Sequence, residues 1–127
     1  MQAVDTNVLV RFLTQDDAAQ AARATALIKR QEVWIAKTVL LETAWVLRSL
    51  YAFDQARIVA ALRSLAGLEN ARLEDSGSIA RAFELADAGL DFADALHLVS
   101  MGAAESFVTF DRKFASRARK LASVVTL

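Results

Sequence analysis

The most constraining feature of this chain is an alternation. Five short stretches of β-type residues are separated by seven longer stretches with helical spacing, in 127 residues that contain no Pro and only four Gly. The β-type stretches are 2–5 (QAVD), 33–36 (VWIA), 71–74 (ARLE), 106–109 (SFVT) and 123–126 (SVVT). Helical spacing predicts helices over 7–14, 17–31, 38–51, 54–66, 76–88, 92–101 and 112–121. Asp54 suits an N-cap, and Gly67, Gly89 and Gly102 stand where helices can end. Strands separated by helices are the pattern of a parallel sheet covered on both faces. The expected fold is therefore α/β, a three-layer α/β/α arrangement around a short-stranded parallel central sheet. Nothing in the sequence resembles a linker or a fixed-period repeat, so residues 1–127 are expected to form one domain.

Composition narrows the classes. A chain of 13.8 kDa buries about two-thirds of the surface its unfolded form exposes. Yet 55% of its residues are hydrophobic and its mean hydropathy is +0.30, high for a small monomer, and any apolar surface left over would point to a partner or an oligomer. With no Cys there is no disulfide framework and no thiolate metal site, and the single His97 argues against structural zinc. No run approaches the ~20 apolar residues of a membrane span, and the start lacks the pattern of a signal peptide. A cytoplasmic protein is expected.

Formal net charge is zero, but charge is unevenly placed. Residues 112–127 carry Arg112, Lys113, Arg117, Arg119 and Lys120 with no acid, whereas Glu74 to Asp111 holds eight acids against Arg81 alone. That asymmetry fits either a phosphate-facing edge beside an acidic pocket or a solvated basic helix face.

Four acids interrupt apolar segments. Asp5 lies within AVDTNVLV (3–10) and closes the first strand; Asp111 follows the strand SFVT after Phe110. In an open parallel sheet, ligands bind outside the carboxyl ends of strands, so both acids are expected at the crevice. Helix capping is the plainer role for each. Glu42 has Val39, Trp45 and Val46 as helical neighbours, an apolar face that requires the acid either to reach the edge or to be held by a metal or cationic partner. Asp94 lies three residues after Asp91, which can cap the helix and leave Asp94 in its first turn. His97 is expected as a local hydrogen-bond partner on the same face. A cluster of carboxylates without thiol or imidazole is the ligand set of Mg²⁺ or Mn²⁺. Such ions polarise a phosphoryl oxygen, activate water and stabilise a leaving oxygen, so phosphodiester hydrolysis is the indicated chemistry.

On the segments VDTNVLVRFL (4–13), LLETAWVL (40–47), LDFADALHL (90–98) and FVTFDRKF (107–114), the chain resembles PIN-domain proteins, and among them the VapC-type toxins of toxin–antitoxin pairs. The resemblance implies a metal-dependent endoribonuclease whose catalytic and metal-binding quartet falls on Asp5, Glu42, Asp94 and Asp111. It places small polar groups near the acids, matching Thr6 and Thr109, with Asn7 as a second orienting residue. Asp5 and Asp94 are the expected principal ligands. The basic segment after Asp111, with Arg112, Lys113 and Arg117, is the candidate for holding the RNA backbone. Similar toxins are homodimers silenced by a cognate antitoxin, and the opening VDTNVLVRFLTQDD is similar to the subset paired with AbrB-type antitoxins.

Two other classes compete. A phosphatase of the haloacid-dehalogenase type wants a second Asp at the position of Asn7, and a receiver wants a Lys at the end of a late strand, whereas Lys120 is expected in a helix. A non-catalytic interaction module would keep the fold without using the acids.

Overall fold

The computed structural model describes residues 1–127. It divides into two compact units, Met1–Ser76 and Gly77–Leu127. The predicted α/β class holds: there are seven helices and five strands, and every strand pairing is parallel.

The first unit contains β1 (Gln2–Ala3), α1 (Thr6–Thr14), α2 (Ala18–Arg30), β2 (Val33–Ile35), α3 (Lys37–Tyr51), α4 (Gln55–Ala66) and β3 (Ala71–Leu73). Its strands lie in the order β1-β2-β3, with Gln2 opposite Val33 and Val33 opposite Ala71. Helix starts are set by carboxylate caps: Asp17 accepts from the Gln20 N–H and Asp54 from the Arg57 N–H. The start of α3 lacks such a residue, because Ala36 has no side-chain acceptor. Glu74, just beyond β3, supplies it by accepting from the Lys37 N–H at 2.8 Å, and the Lys37 ammonium pairs with Asp75 at 2.9 Å. Along α2 the small residues Ala21 and Ala24 are buried with Ile28, which allows close packing against α1. Leu40, Leu47, Ile58, Leu62 and Leu65 fill the centre with Ile35 of β2.

The second unit contains α5 (Ser76–Asp87), whose first residue marks the boundary, then α6 (Phe92–Val99), β4 (Phe107–Thr109), α7 (Arg112–Ala118) and β5 (Val124–Thr126). β4 and β5 pair with Phe107 opposite Val124. Phe83 of α5 stacks on Phe92 of α6 at 5.7 Å, and Phe107 of β4 meets Phe114 of α7 edge-on at 5.6 Å. Gly89, at φ 108, makes the turn that delivers the chain into α6.

Element ends differ from the sequence expectation for local reasons. α1 and α3 terminate in left-handed Gln15 (φ 57) and Ala52 (φ 56), positions that glycine usually marks. α6 ends at Val99, so Gly102 (φ 62) turns the loop after it and caps nothing. α7 ends at Ala118, short of the predicted 112–121, which leaves Lys120 in a turn rather than in the helix and still not at a strand end. No helix is long and apolar enough to cross a membrane.

Candidate functional site

In the first unit the acids stand where β1 gives way to α1. The last sheet-type bond of this segment runs from the Val4 N–H to the Trp34 carbonyl at 3.1 Å. Asp5 is the next residue, with extended backbone, and its Oδ1 accepts from the Thr6 N–H at 2.7 Å. Asp5 is thus the N-cap of α1, and a cap commits only one of the carboxylate oxygens. Thr6 is 4% exposed, so its hydroxyl must find an acceptor inside the unit. It donates to Oε1 of Glu42, on α3, at 2.5 Å, within the range of a charge-assisted bond.

The apolar face expected around Glu42 is turned outward instead of into the core. The buried stripe of α3 is Leu40, Thr43, Ala44 and Leu47, while Glu42 is exposed and Trp45 is 63% exposed. Spacing identified the neighbours of Glu42 correctly but not the direction in which that face points. Asn7 also departs from its expected role. Its side chain bonds neither Asp5 nor Glu42 and lines a groove between α1 and α2.

In the second unit three acids border one pocket of about 100 Å³, which Leu90, Asp91, Asp94, Asp111, Lys113 and Arg117 help to line. Asp91 caps α6: its Oδ2 accepts from the N–H groups of Ala93 (3.1 Å) and Asp94 (3.4 Å). Asp111 caps α7 through Oδ1, which accepts from the Phe114 N–H at 2.9 Å. The Asp111 N–H in turn donates to Oγ1 of Thr109 at 3.0 Å, fixing the approach to the cap from β4.

Asp94 is unlike its neighbours. It is half-buried in the first turn of α6, and its carboxylate accepts no hydrogen bond and joins no salt bridge within the protein. Desolvation by burial raises its pKa above the usual aspartate range, and the negative charges of Asp91 and Asp111 push it further in the same direction. His97 opposes that rise through its charge alone; the expected hydrogen bond between the two is not made, because His97 faces solvent. Lys113 and Arg117 lie one helical turn apart on α7 and both line the pocket, whereas Arg112 does not. Neither forms an ion pair with Asp94 or Asp111; Arg117 donates to the Gly89 carbonyl at 3.3 Å.

The donor set is chemically uniform. Every candidate ligand is a carboxylate oxygen, and Asp5 and Asp111 each retain an oxygen that their caps do not use. Carboxylate oxygens suit a hard divalent cation rather than a soft one, but no group of three or more acidic side chains is arranged to hold an ion. The three acids line the pocket without closing into a preformed cage. Asp91 was legible as a cap but not as a pocket acid. The signal was its position three residues before Asp94, which puts both in one helical turn.

A family model described as PIN domain matches residues 3–120. No match was found among curated proteins.

Proposed function

Because the chain belongs to the PIN-domain family, whose members are generally nucleases that use divalent metals, we propose that it is a metal-dependent endoribonuclease of the VapC toxin type. In this reading residues 1–127 work as one PIN-like domain. The observation that supports it best is Asp94, a half-buried carboxylate with no protein partner, flanked by the charges of Asp91 and Asp111. A purely structural acid would be capped or paired, as Asp54 and Asp16 are.

The residues that would hold Mg²⁺ or Mn²⁺ are Asp5, Glu42, Asp94 and Asp111. When bound, the ion would polarise the scissile phosphate and ease removal of a proton from water. The chain's own contribution is positioning. Thr6 fixes the Glu42 carboxylate, Thr109 fixes the cap at Asp111, and Asp91 sets the start of the turn that carries Asp94. Lys113 and Arg117, with Arg112 beside them, supply positive charge to receive phosphate oxygens.

The proposed partners are an RNA substrate, a second copy of the chain and a cognate antitoxin of AbrB type, in the cytoplasm. Trp45 and Leu50 on α3, 63% and 71% exposed, are large apolar groups of the sort such partners cover. The decisive experiment incubates the purified chain, freed of any partner, with single-stranded RNA and Mn²⁺ or Mg²⁺, with and without EDTA. Cleavage that disappears in EDTA is expected. Undiminished cleavage in chelator, or turnover of a small phosphomonoester in place of RNA, would overturn the reading.

A further inference from the structure

One groove in the first unit holds none of the candidate catalytic acids. It has a volume of about 540 Å³, lies between α1 and α2, and is bordered by Asn7, Val8, Arg11, Arg23, Leu27 and Arg30 among others. Three of these side chains are guanidinium groups, and no acid lines the groove. α2 itself carries Arg23, Lys29 and Arg30 and no acid.

The three arginines are not equivalent. Arg11 is committed: it bonds Gln20 at 2.7 Å, Asp16 at 3.1 Å and the Tyr51 hydroxyl at 3.1 Å. Arg23 and Arg30 are exposed and have no hydrogen bond or ion pair within the protein. Two other exposed arginines are paired with acids, Arg72 with Glu32 (2.6 Å) and Arg81 with Glu84 (3.2 Å). The pair on α2 is seven residues apart, hence on one helix face and separated by about 10.5 Å along the axis. Between them Leu27 gives the groove an aliphatic floor, with Val8 opposite on α1.

We propose that this groove binds the sugar–phosphate backbone of single-stranded RNA, with Arg23 and Arg30 as the phosphate contacts. The inference deepens the ribonuclease reading and rests on it. Two unpaired guanidinium groups over an apolar floor suit a strand that presents phosphates on one side and flat base faces on the other. No aromatic ring lines the groove, so it offers no stacking platform and holds the strand with little regard to sequence. Asn7 extends the track: its exposed amide sits in the first turn of α1, beside Thr6 and two residues from Asp5. Arg23 and Arg30 act as positioning residues, drawing a long substrate along α1 toward its capped end.

The test uses the full chain in EDTA, so that binding is read without cleavage, and a fluorescently labelled single-stranded RNA whose anisotropy is followed at several salt concentrations. R23Q/R30Q is compared with R72Q/R81Q, which removes as much charge from paired positions, and with R23K/R30K, which keeps the charge. The groove predicts that R23Q/R30Q weakens binding about tenfold at ~0.1 M salt and lowers the log–log salt slope by about 1.4, at roughly 0.7 per phosphate contact. R72Q/R81Q should bind nearly as the wild type does, and R23K/R30K should keep most of the slope. In Mn²⁺, R23Q/R30Q should raise KM for long RNA while leaving kcat nearly unchanged. Equal affinity and slope in R23Q/R30Q and wild type would overturn the proposal. So would an oligoglutamate peptide whose binding needs Arg23 and Arg30 while RNA binding does not, an outcome that assigns the groove to an acidic protein partner. Arginine-dependent RNA binding without cleavage in Mn²⁺ would instead sink the nuclease reading and leave the groove standing.

Discussion

Two carboxylates, Glu42 and Asp94, sit on helices of different units and are provided for in different ways. Glu42 is exposed to water and also receives a hydroxyl from buried Thr6, so its negative charge is both solvated and held in place. Asp94 is half-buried, receives no donor, and faces two more acids. The first arrangement orients an acid. The second leaves one electrostatically unsatisfied, and a cation would relieve it. The contrast teaches that a candidate ligand is better recognised by what its neighbours fail to supply than by its residue type.

Neutralising Asp94 should produce the largest effect and tests the contrast directly. Asp94→Asn should cut RNA at least about 100-fold more slowly, at or beyond the upper end of what losing an outer-shell partner of a metal costs. In chelator the same variant should melt higher than wild type near neutral pH. The reason is linkage: the folded-state pKa of Asp94 is raised, so its favourable contribution is complete below the unfolded value and is lost as pH rises through the folded one. Mn²⁺ should raise the melting temperature of wild type and do little for the variant. A variant that melts lower in chelator and still cuts RNA would show that Asp94 merely complements the dipole of α6.

Thr6→Val tests the other side of the comparison. The substitution keeps the shape of a buried side chain and removes the hydroxyl that holds Glu42. Cleavage should fall about 10- to 100-fold, and Thr6→Ser should recover most of it. Stability should drop by only about 1 kcal/mol, since the exposed Glu42 carboxylate can turn to water. Wild-type kinetics in Thr6→Val would mean that the orientation of Glu42 is irrelevant to the reaction.

The same contrast explains what the sequence disclosed. Strand and helix positions were readable because the apolar periodicities are strong and Asp54 advertises its helix. Helix ends at Gln15 and Ala52 were harder to place, since left-handed residues other than glycine carry no mark. The four acids were identifiable as interruptions of apolar runs. Their circumstances were not: i±3 and i±4 neighbours say which side chains adjoin Glu42, but only tertiary packing decides that this face of α3 meets solvent. His97 illustrates the same limit, being on the right turn of α6 for Asp94 yet pointing into water. Asp91 shows the converse, a cap read correctly whose second role depends on α7 coming beside it.

Thr109→Val should have a smaller effect. It removes the acceptor of the Asp111 N–H and so loosens the cap of α7 without changing any charge. A loss of about 0.5–1.5 kcal/mol and a fall in cleavage of no more than about tenfold are expected. Thermal melts beside the RNA assay would measure both. A collapse in activity equal to that of Asp94→Asn would mean that Thr109 contacts substrate directly.

The smallest effect is expected from Asp91→Asn, and it separates the two jobs that pocket acids perform. Asn caps a helix about as well as Asp, so the bonds to the Ala93 and Asp94 N–H groups should survive and α6 should start where it does now. What disappears is one of the negative charges that raise the pKa of Asp94, so that pKa should move back toward 3.8 while burial and Asp111 still hold it above. In chelator, wild type should lose stability as pH rises through the folded pKa of Asp94; Asp91→Asn should show a shallower loss, and Asp94→Asn none from this source. Cleavage by Asp91→Asn should stay within a few-fold of wild type, because the quartet implied by the family resemblance does not include Asp91. Melting curves from about pH 3 to pH 8, run on all three proteins in EDTA, give the comparison. If Asp91→Asn abolished cleavage while leaving the pH profile untouched, Asp91 would be a ligand in its own right as well as the cap of α6, as Asp111 is proposed to be for α7.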